Sequence, residues 1–336
     1  MGGRGLEIVY ASYDRFPAVK GAATHIAQFA SGLADAFGQV DLVTVAPSPE
    51  EASLVSFQHS GVDLHPLTAP GNNLIERVMN FRAGLRCWWK DRRADVLHVR
   101  SIYEGYPFAR EKRKTCDKLV LEVNGLPSIE LKYTYPAVAD DRELLGKLKV
   151  QEDACLAAAD LVITVSQVNA DYLVSRGVER ERIRVIPNGV DLNVFAHKPP
   201  RRRADEPIRL LYAGTWSSWQ GVHAAVEALA LCLRDFPARL TLAGPSRPRQ
   251  RKLLEQLCWK LGVHGHVDRV GSVSQADLCR LHHESDAALA PLTANDRNLV
   301  QGCCPLKMLE AMACGTPLVA SDLPVARELA RFDQDA

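Results

Sequence analysis

The sequence lacks an excess of charge of either sign, because its 41 lysines and arginines nearly balance its 40 aspartates and glutamates. Nucleic-acid-binding domains usually carry a strong basic excess, so the composition argues against a nucleic acid as partner. The 336 residues also contain no run of 18 or more apolar residues, the length that indicates a transmembrane helix. The N-terminus has no apolar segment followed by a cleavage site, as a secretory signal would have. These absences predict a cytoplasmic protein.

The cysteines lack any recognisable pattern. There are nine of them, with no Cys-x-x-Cys pair and no zinc-ligand spacing to histidine. An odd, unpatterned set is typical of a reducing compartment with buried thiols. His282 and His283 are adjacent on a predicted helix and therefore point to different faces. We expect both to be surface residues, and we expect no metal site.

Short apolar runs rich in β-branched residues alternate with helical patterns along the whole chain. This alternation predicts an α/β fold with parallel sheets covered on both faces. The predicted strands of the first half are Leu6–Ala11, Leu42–Val45, Val96–Val99, Leu119–Val123, Leu161–Val165 and Ile183–Ile186. Those of the second half are Ile208–Tyr212, Leu240–Ala243, Val267–Val270, Ala287–Ala290 and Pro317–Ala320. Apolar spacing predicts helices that include Ala22–Phe37 and Val222–Leu233.

A segment rich in proline and charge divides the two halves. Residues 196–207 show no periodicity and predict a linker, since a new series of strands and helices begins directly after them. A long surface loop inside one domain is the alternative. We predict an N-terminal domain over residues 1–195 and a C-terminal domain over residues 208–336. Ligands of such sheets bind at the carboxyl ends of the strands, so a cleft between two of them suits the joining of two substrates.

The segment from Gly302 to Ser321 carries the strongest chemical signal. Pro305 suits the first turn of a helix, and Gly315 suits its end. The free amides around Pro305, Leu306, Lys307 and Met308 predict an anion site that the helix dipole favours. Glu310 follows on the same helix, where a carboxylate accepts hydrogen bonds from two ribose hydroxyls.

The stretch from Pro305 to Ser321 resembles the nucleotide-sugar-binding segment of family 4 retaining glycosyltransferases. Other segments are similar to that family in the same order, and the resemblance covers almost the whole chain. They are Phe16–His25, Leu161–Ser166, Arg182–Asp191, Ile208–Thr215, Trp219–Val222, Leu240–Pro245 and Val270–Val273. The resemblance implies a GT-B fold, in which two Rossmann-like, doubly wound domains face each other across a cleft. It also implies that Glu310 binds the ribose and that the helix start binds the diphosphate.

Three glycines are predicted to let the backbone approach the donor closely. Gly214 and Gly221 lie in the segments that resemble the opening of the family's C-terminal domain. Gly21 lies in a loop that looks like the family's N-terminal glycine loop, where a glycine that opens a helix admits a phosphate. A simple turn glycine is the alternative for Gly21, and Lys20 before it is as well explained as a solvated charge.

The chain departs from the family at positions that contact the donor. Gly302 stands where many members carry a second glutamate. Thr215 and Gln220 stand near the places of an Arg and a Lys that bind the diphosphate. Each lost charge-assisted bond, at roughly 1.5–3 kcal/mol, corresponds to about ten- to a hundred-fold in affinity. Lys307, Arg247 or Arg297 is a candidate to compensate, and donor binding is expected to be weak if none of them does.

Glu122 and Asn124 lie at the carboxyl end of a predicted strand, where a site is expected. In a regular strand both side chains face the same way. We predict that they are catalytic residues in contact with the acceptor or the transferred sugar, and Arg100 has a similar standing. The alternative is an Asn-Gly turn at residues 124 and 125.

Residues 74–93 combine apolar residues at helical spacing with six basic side chains and two tryptophans. A basic helix of this kind sits on anionic membranes, and members of the family often use lipid-linked acceptors. We therefore expect possible peripheral contact with the inner face of the membrane. The alternative is a helix that packs into the core and has a solvated basic face.

The leading hypothesis is a metal-independent glycosyltransferase that moves a sugar from a nucleoside-diphosphate sugar to an acceptor hydroxyl, with retention. The acceptor is expected to be lipid-linked or a saccharide, in polysaccharide or glycolipid synthesis. No cofactor is expected besides the nucleotide sugar as co-substrate. The alternatives are a non-catalytic GT-B protein that binds a nucleotide or partner, and a sugar-nucleotide epimerase. The family normally continues beyond the point that corresponds to Ala336, so we expect the C-terminal domain to be incomplete.

Overall fold

The computed structural model describes residues 5–18, 20–199 and 206–330. Their contacts divide the chain into two compact units. The first contains residues 1–130, 137–165 and 169–186, and the second contains residues 131–136, 166–168 and 187–336. The predicted linker lies partly on residues 200–205, outside the described part of the chain. Both units are α/β and each is built on one parallel sheet.

The first unit contains a seven-stranded sheet in the order β3-β2-β1-β4-β5-β6-β7. Its strands are β1 (Ile8–Arg15), β2 (Val40–Val45), β3 (Val62–Leu67), β4 (Ala94–Val99), β5 (Cys116–Val123), β6 (Leu161–Thr164) and β7 (Ile183–Val185). Every strand pair is parallel. The strand order reverses between β1 and β4, so this doubly wound sheet has its switch point there.

Helices connect these strands along the chain. They are α1 (Gly21–Phe37), α2 (Pro49–Leu54), α3 (Leu74–Trp89), α4 (Ile102–Arg110), α5 (Lys112–Thr115), α6 (Pro127–Thr134), α7 (Arg142–Ala158) and α8 (Gln167–Ser175). Two 3₁₀ turns follow the same course, Pro136–Val138 and Arg180–Arg182. In α1, Ile26 and Ala30 are fully buried against Ile8 and Leu42, as the helical spacing of apolar residues predicts.

The second unit contains a five-stranded sheet in the order β10-β9-β8-β11-β12, again all parallel. Its strands are β8 (Ile208–Ala213), β9 (Ala238–Ala243), β10 (Val267–Gly271), β11 (Ala287–Ala290) and β12 (Leu318–Ala320). Its helices are α9 (Val222–Cys232), α10 (Pro248–Lys260), α11 (Gln275–Glu284), α12 (Leu306–Cys314) and α13 (Pro324–Arg327). Short 3₁₀ turns at Ser218–Gln220 and His264–His266 and a π-helical turn at Arg297–Gln301 complete it.

The predicted fold class is confirmed, and the predicted strands are found in the predicted order. The sequence missed β3, because this edge strand has a half-exposed, polar pattern and contains Pro66, which lowers its strand signal. The sequence also predicts a helix at Leu323–Arg331. Within the described residues, which end at residue 330, α13 covers Pro324–Arg327.

Candidate functional site

The second sheet has its switch point between β8 and β11. From the carboxyl end of β8 the chain passes to α9 and β9 on one side of the sheet order. From the carboxyl end of β11 it passes to α12 and β12 on the other side. The two connections therefore diverge and leave a crevice at this edge, which is where doubly wound sheets bind ligands. The predicted residues Gly214, Gly221, Lys307 and Glu310 are all carried by these connections.

Gly221 allows the two connections to approach each other. It is the N-cap residue of α9 and has the left-handed conformation, with φ of 75°. A Cβ at this position would lie 1.6 Å from the carbonyl oxygen of Pro291, the residue after β11. A side chain is therefore excluded by its contact as well as by its backbone conformation. Gly214 follows β8 with φ of 141°, and a Cβ there would lie 3.1 Å from Lys307 Nζ.

Helix α12 presents its N-terminus to this edge. Pro305 is the N-cap residue, one position before the first turn in which the sequence placed it. No side chain of the described residues caps this end, and the amides of Leu306 and Lys307 come before the intrahelical hydrogen bonds begin. Met308 N donates to the carbonyl of Pro305 at 3.1 Å. At the other end Gly315 adopts φ of 75° and closes the helix, as predicted.

Lys307 is the unusual side chain of the site. It is 7% exposed, and among the described residues its Nζ has no hydrogen-bond partner. The ammonium lies 4.2 Å from the centre of the Tyr212 ring, which gives a cation–π contact. Burial lowers the pKa of Lys307 to about 7, against the opposing effect of Glu310. A buried cation with unused donors is suited to an anionic ligand.

Glu310 lies one turn further along α12. It is half-buried, and burial raises the pKa of Glu310 to about 7 although Lys307 acts in the opposite direction. The Oε1 atom of Gln220 is likewise buried without a hydrogen-bond partner among the described residues, and it lies beside Gly214 as Lys307 Nζ does. Donor and acceptor groups with unused capacity are thus collected at one place.

The other two predicted cations are engaged elsewhere. Arg297 packs over the Trp219 ring at 4.8 Å and donates to the carbonyl of Gly302 at 2.5 Å. Arg247 is the N-cap residue of α10, and its Nη1 donates to the carbonyl of Thr134 at 2.8 Å within the second unit. Of the three candidate cations, Lys307 is therefore the one whose charged atom is directed at the crevice.

In the first unit, Glu122 is the centre of a buried polar network at the carboxyl edge of its sheet. It is 1% exposed, and both of its oxygens are engaged. Tyr10 Oη donates to it at 2.9 Å, Arg100 Nε at 2.9 Å, and Asn124 Nδ2 donates as well. His25 Nε2 lies 2.8 Å away. This geometry favours a positioning role for Glu122 over direct contact with a substrate, and the predicted catalytic roles of Glu122 and Asn124 stay predictions.

The charges of this network are strongly coupled. Burial acts to raise the pKa of Glu122, yet Arg100 and the bonds from His25 and His98 hold that pKa well below its usual value. Arg100 also contacts Asp14 at 2.5 Å, and Asp14 pairs with Lys20 at 2.9 Å. Lys20 is the N-cap of α1, which begins at Gly21. The predicted glycine thus opens a helix beside the switch point of the first sheet.

Sequence reasoning missed several polar residues. His25 and His98 flank Glu122 on separate elements, so no local spacing pairs them with it. The prediction that His282 is a surface residue is wrong, because it is 1% exposed and burial lowers the pKa of His282 to about 4. Its neighbour His283 lies close to Cys279, a pairing that the spacing of four residues on α11 indicates.

Helix α3 buries the apolar face that the sequence identified within residues 74–93. Val78, Phe81 and Leu85 belong to the core of the first unit. Arg82 is also fixed internally, since its Nε donates to the carbonyl of Tyr103 at 2.6 Å. A membrane contact through this helix stays a prediction, and Ile75 is its most exposed large apolar residue at 63%. Within the described part of the chain, no helix has the length and apolar character needed to cross a bilayer.

Comparison with known proteins identifies the class of protein that this fold and crevice define. Residues 19–194 match glycosyltransferase family 4, and residues 207–336 match glycosyl transferases group 1. The two matches follow each other along the chain and cover most of it. The chain belongs to glycosyltransferase family 4.

Named relatives agree with this assignment. The chain is 26% identical over 329 residues to a D-inositol 3-phosphate glycosyltransferase of Pseudarthrobacter chlorophenolicus, which covers 88% of this chain and 73% of that protein. It is 28% identical over 346 residues to a glycogen synthase of Mycobacterium tuberculosis, which covers 95% of this chain and 78% of that protein. The matched regions thus span about three quarters of these relatives.

Solved structures confirm the GT-B fold. The sucrose-phosphate synthase of Thermosynechococcus elongatus superposes with a TM-score of 0.72 at 22% identity, covering 94% of this chain and 82% of that one. HepE of Anabaena, solved in complex with UDP and glucose, superposes with a TM-score of 0.70 at 20% identity, covering 96% of this chain and 83% of that one. At such identities the likeness establishes the fold.

Proposed function

We propose that this glycosyltransferase moves a sugar from a nucleoside-diphosphate sugar to an acceptor hydroxyl, with retention and without a metal ion at the transfer site. The observation that carries the proposal is the buried ammonium of Lys307, which has no hydrogen-bond partner among the described residues. It lies beside Gly214, at the start of α12 and at the switch point of the second sheet. A diphosphate supplies the negative charge and the hydrogen-bond acceptors that would pair with this ammonium.

Different residues of α12 bind the diphosphate and the ribose of the donor. The amides of Leu306 and Lys307 and the helix dipole bind the diphosphate oxygens, while Lys307 Nζ adds a full positive charge. The carboxylate of Glu310 accepts hydrogen bonds from the ribose hydroxyls. The family carries a cation near the position of Gln220, which this chain lacks. Lys307 Nζ lies close to Gln220, beside Gly214, and therefore compensates for the missing cation. The complex of Anabaena HepE with UDP and glucose supports a donor of this class.

The transfer step requires few protein groups. The bond between the anomeric carbon and the diphosphate oxygen breaks, and the acceptor oxygen bonds to that carbon on the same face. The acceptor proton passes to the departing diphosphate. Lys307 and the helix amides stabilise the charge that builds on the leaving group. We propose that Arg100 and Asn124 help to place the acceptor, and that Glu122 holds them in position. A lipid-linked or saccharide acceptor fits this proposal.

The ribose contact can be tested with Glu310→Ala and a deoxynucleotide. Losing hydrogen bonds to a charged group costs roughly 1.5–3 kcal/mol, so UDP affinity should fall about ten- to a hundred-fold. Calorimetry with UDP and 2′-deoxy-UDP on both proteins forms a double-mutant cycle. The natural protein should distinguish the two nucleotides, whereas Glu310→Ala should bind them equally. GDP and ADP measured in parallel identify the base.

Glu255→Ala is the matched control, because Glu255 is an exposed carboxylate on α10 of the same unit. It should leave nucleotide affinity unchanged. If Glu310→Ala retained the full preference for the ribonucleotide, the ribose assignment would be wrong. Nucleotide binding without sugar transfer to any acceptor would favour a non-catalytic protein, a reading motivated by the missing cations at Thr215 and Gln220. Conversion of the donor without acceptor would indicate an epimerase.

A further inference from the structure

Two thiols and an imidazole meet in the second unit, away from the crevice. Cys279 and His283 lie one turn apart on α11, and Cys314 is the last residue of α12. Cys279 Sγ lies 3.8 Å from Cys314 Sγ, and 3.8 and 3.7 Å from the two ring nitrogens of His283. One ligand atom from each of the three residues lies within 4.8 Å of the other two. The proposed transfer reaction uses none of these residues.

These distances correspond to the edges of a tetrahedral zinc site. Two sulfurs bound to one zinc ion at about 2.3 Å in tetrahedral geometry are about 3.8 Å apart. A sulfur and a nitrogen bound at about 2.3 and 2.0 Å are about 3.5 Å apart. A disulfide requires a sulfur–sulfur distance of about 2.05 Å, so the observed separation of Cys279 and Cys314 fits shared ligation better than a covalent bond.

The imidazole of His283 is held by a backbone carbonyl. Its Nε2 lies 2.7 Å from the carbonyl oxygen of Ala196. When Nε2 carries the proton and donates a hydrogen bond to this carbonyl, Nδ1 keeps its lone pair for a metal. In zinc sites, a backbone carbonyl commonly accepts a hydrogen bond from the other ring nitrogen of a ligating histidine and so fixes its tautomer.

The surroundings leave one side of the group accessible. Cys279 and Cys314 pack with Phe195 in a small apolar cluster. Cys279 and His283 also line a cavity of about 890 Å³. A metal ion can therefore arrive from that cavity, and a water molecule there can complete the coordination.

We propose that Cys279, His283 and Cys314 bind one Zn²⁺ ion, with a water molecule from the cavity as the fourth ligand. Two thiolates and one imidazole form a ligand set that suits zinc rather than magnesium or calcium. Both thiols release their protons to solvent as the ion binds, so the site with its two thiolates is neutral.

The ion would join the ends of α11 and α12. Cys314 belongs to the helix that carries Lys307 and Glu310, and Glu310 lies four residues before it. Zinc at this point fixes the C-terminal end of α12 and so its position on the sheet. The proposal concerns the position of the helix, and it holds whether or not the protein transfers sugar.

Metal content of the full chain provides the first test. Protein purified with a reductant and without chelators should contain about one zinc ion per chain, as measured by inductively coupled plasma mass spectrometry. Cys279→Ser and Cys314→Ser should be purified without zinc. In a competition titration their zinc affinity should be at least about tenfold weaker, because removing even a group that only hydrogen-bonds a metal ligand weakens affinity by that much. Cys232→Ser, a half-buried thiol on α9 of the same unit, should retain the metal.

A second measurement does not depend on the variants folding. The natural protein, stripped of metal under reducing conditions, should bind one Co²⁺ with the intense absorption of tetrahedral thiolate ligation. Zinc should displace the cobalt and raise Tm. Weak absorption typical of octahedral cobalt would overturn the proposal. Equal zinc content in the Cys314→Ser and natural proteins, or a disulfide between Cys279 and Cys314 in the freshly purified chain, would also overturn it.

Discussion

Replacing Lys307 with methionine should stabilise the protein in a way that depends on pH. Methionine has a similar length and fills the same apolar space beside Tyr212, but it carries no charge that burial must desolvate. Burial lowers the pKa of Lys307 to about 7, from a usual value of about 10.4 in an unfolded chain. Between these values the unfolded chain binds a proton that the folded chain does not. The stability of the natural protein should therefore rise with pH across this window.

The magnitude follows from the width of the window. Each pH unit within it contributes at most about 1.4 kcal/mol, so the natural protein should gain roughly 2–3 kcal/mol between pH 7.5 and 9.5 relative to Lys307→Met. Glu310 acts at lower pH and with the opposite sign. Burial raises the pKa of Glu310 to about 7, so its contribution is lost as pH rises from about 4.3 to 7. Measurements above pH 7.5 therefore report mainly on the lysine.

Urea denaturation of both proteins at several pH values measures the difference directly. Lys260→Met is the control, because Lys260 is an exposed lysine at the end of α10 in the same unit. Its difference from the natural protein should not change with pH. A constant difference between Lys307→Met and the natural protein over pH 7.5–9.5 would refute the reasoning, since it would mean that Lys307 is solvated in the folded chain.

The same lysine predicts an effect on ligand binding. UDP should bind Lys307→Met more weakly than the natural protein, and binding to the natural protein at pH 8 should take up a proton.

Two further predictions concern stability. Gly221→Ala should destabilise the second unit by more than Gly262→Ala in thermal and urea unfolding. Both glycines have φ near 70°, a conformation that costs an L-residue roughly 1–2 kcal/mol, but the added methyl meets a carbonyl oxygen at 1.6 Å only at position 221 and nothing within 4 Å at position 262. Equal losses would show that the two connections can separate. Glu122→Gln should cost roughly 1.5–3 kcal/mol because it weakens the charge-assisted bond from Arg100 Nε, while Arg100 keeps its pair with Asp14. Glu143→Gln, which breaks an exposed pair, should have a much smaller effect on stability. A negligible loss for Glu122→Gln would mean that water reaches this network.

Local sequence determined the elements and one part of the site. The alternation of apolar runs and helical spacing gave the strands in order, because parallel strands buried on both faces require continuous apolar sequence. The same applies to α12, since a proline at its start, a glycine after its end and a carboxylate between them form a local pattern. The apolar pattern did not predict strand β3, because this strand lies at the edge of the sheet and its residues are half exposed.

The tertiary structure decided which side chains have their charges satisfied. Lys307, Arg247 and Arg297 are equivalent as cations in the sequence, yet packing fixes two of them on neighbouring rings and carbonyls and leaves the ammonium of Lys307 at the crevice. Glu122 is likewise an ordinary strand carboxylate until Tyr10, Arg100 and His25 surround it. Burial and partners arise from residues distant in sequence, and no local pattern encodes the desolvation that sets a charge. The sequence thus determined all strands but β3 and the position of α12, and the packing of distant segments decided which charge faces the crevice.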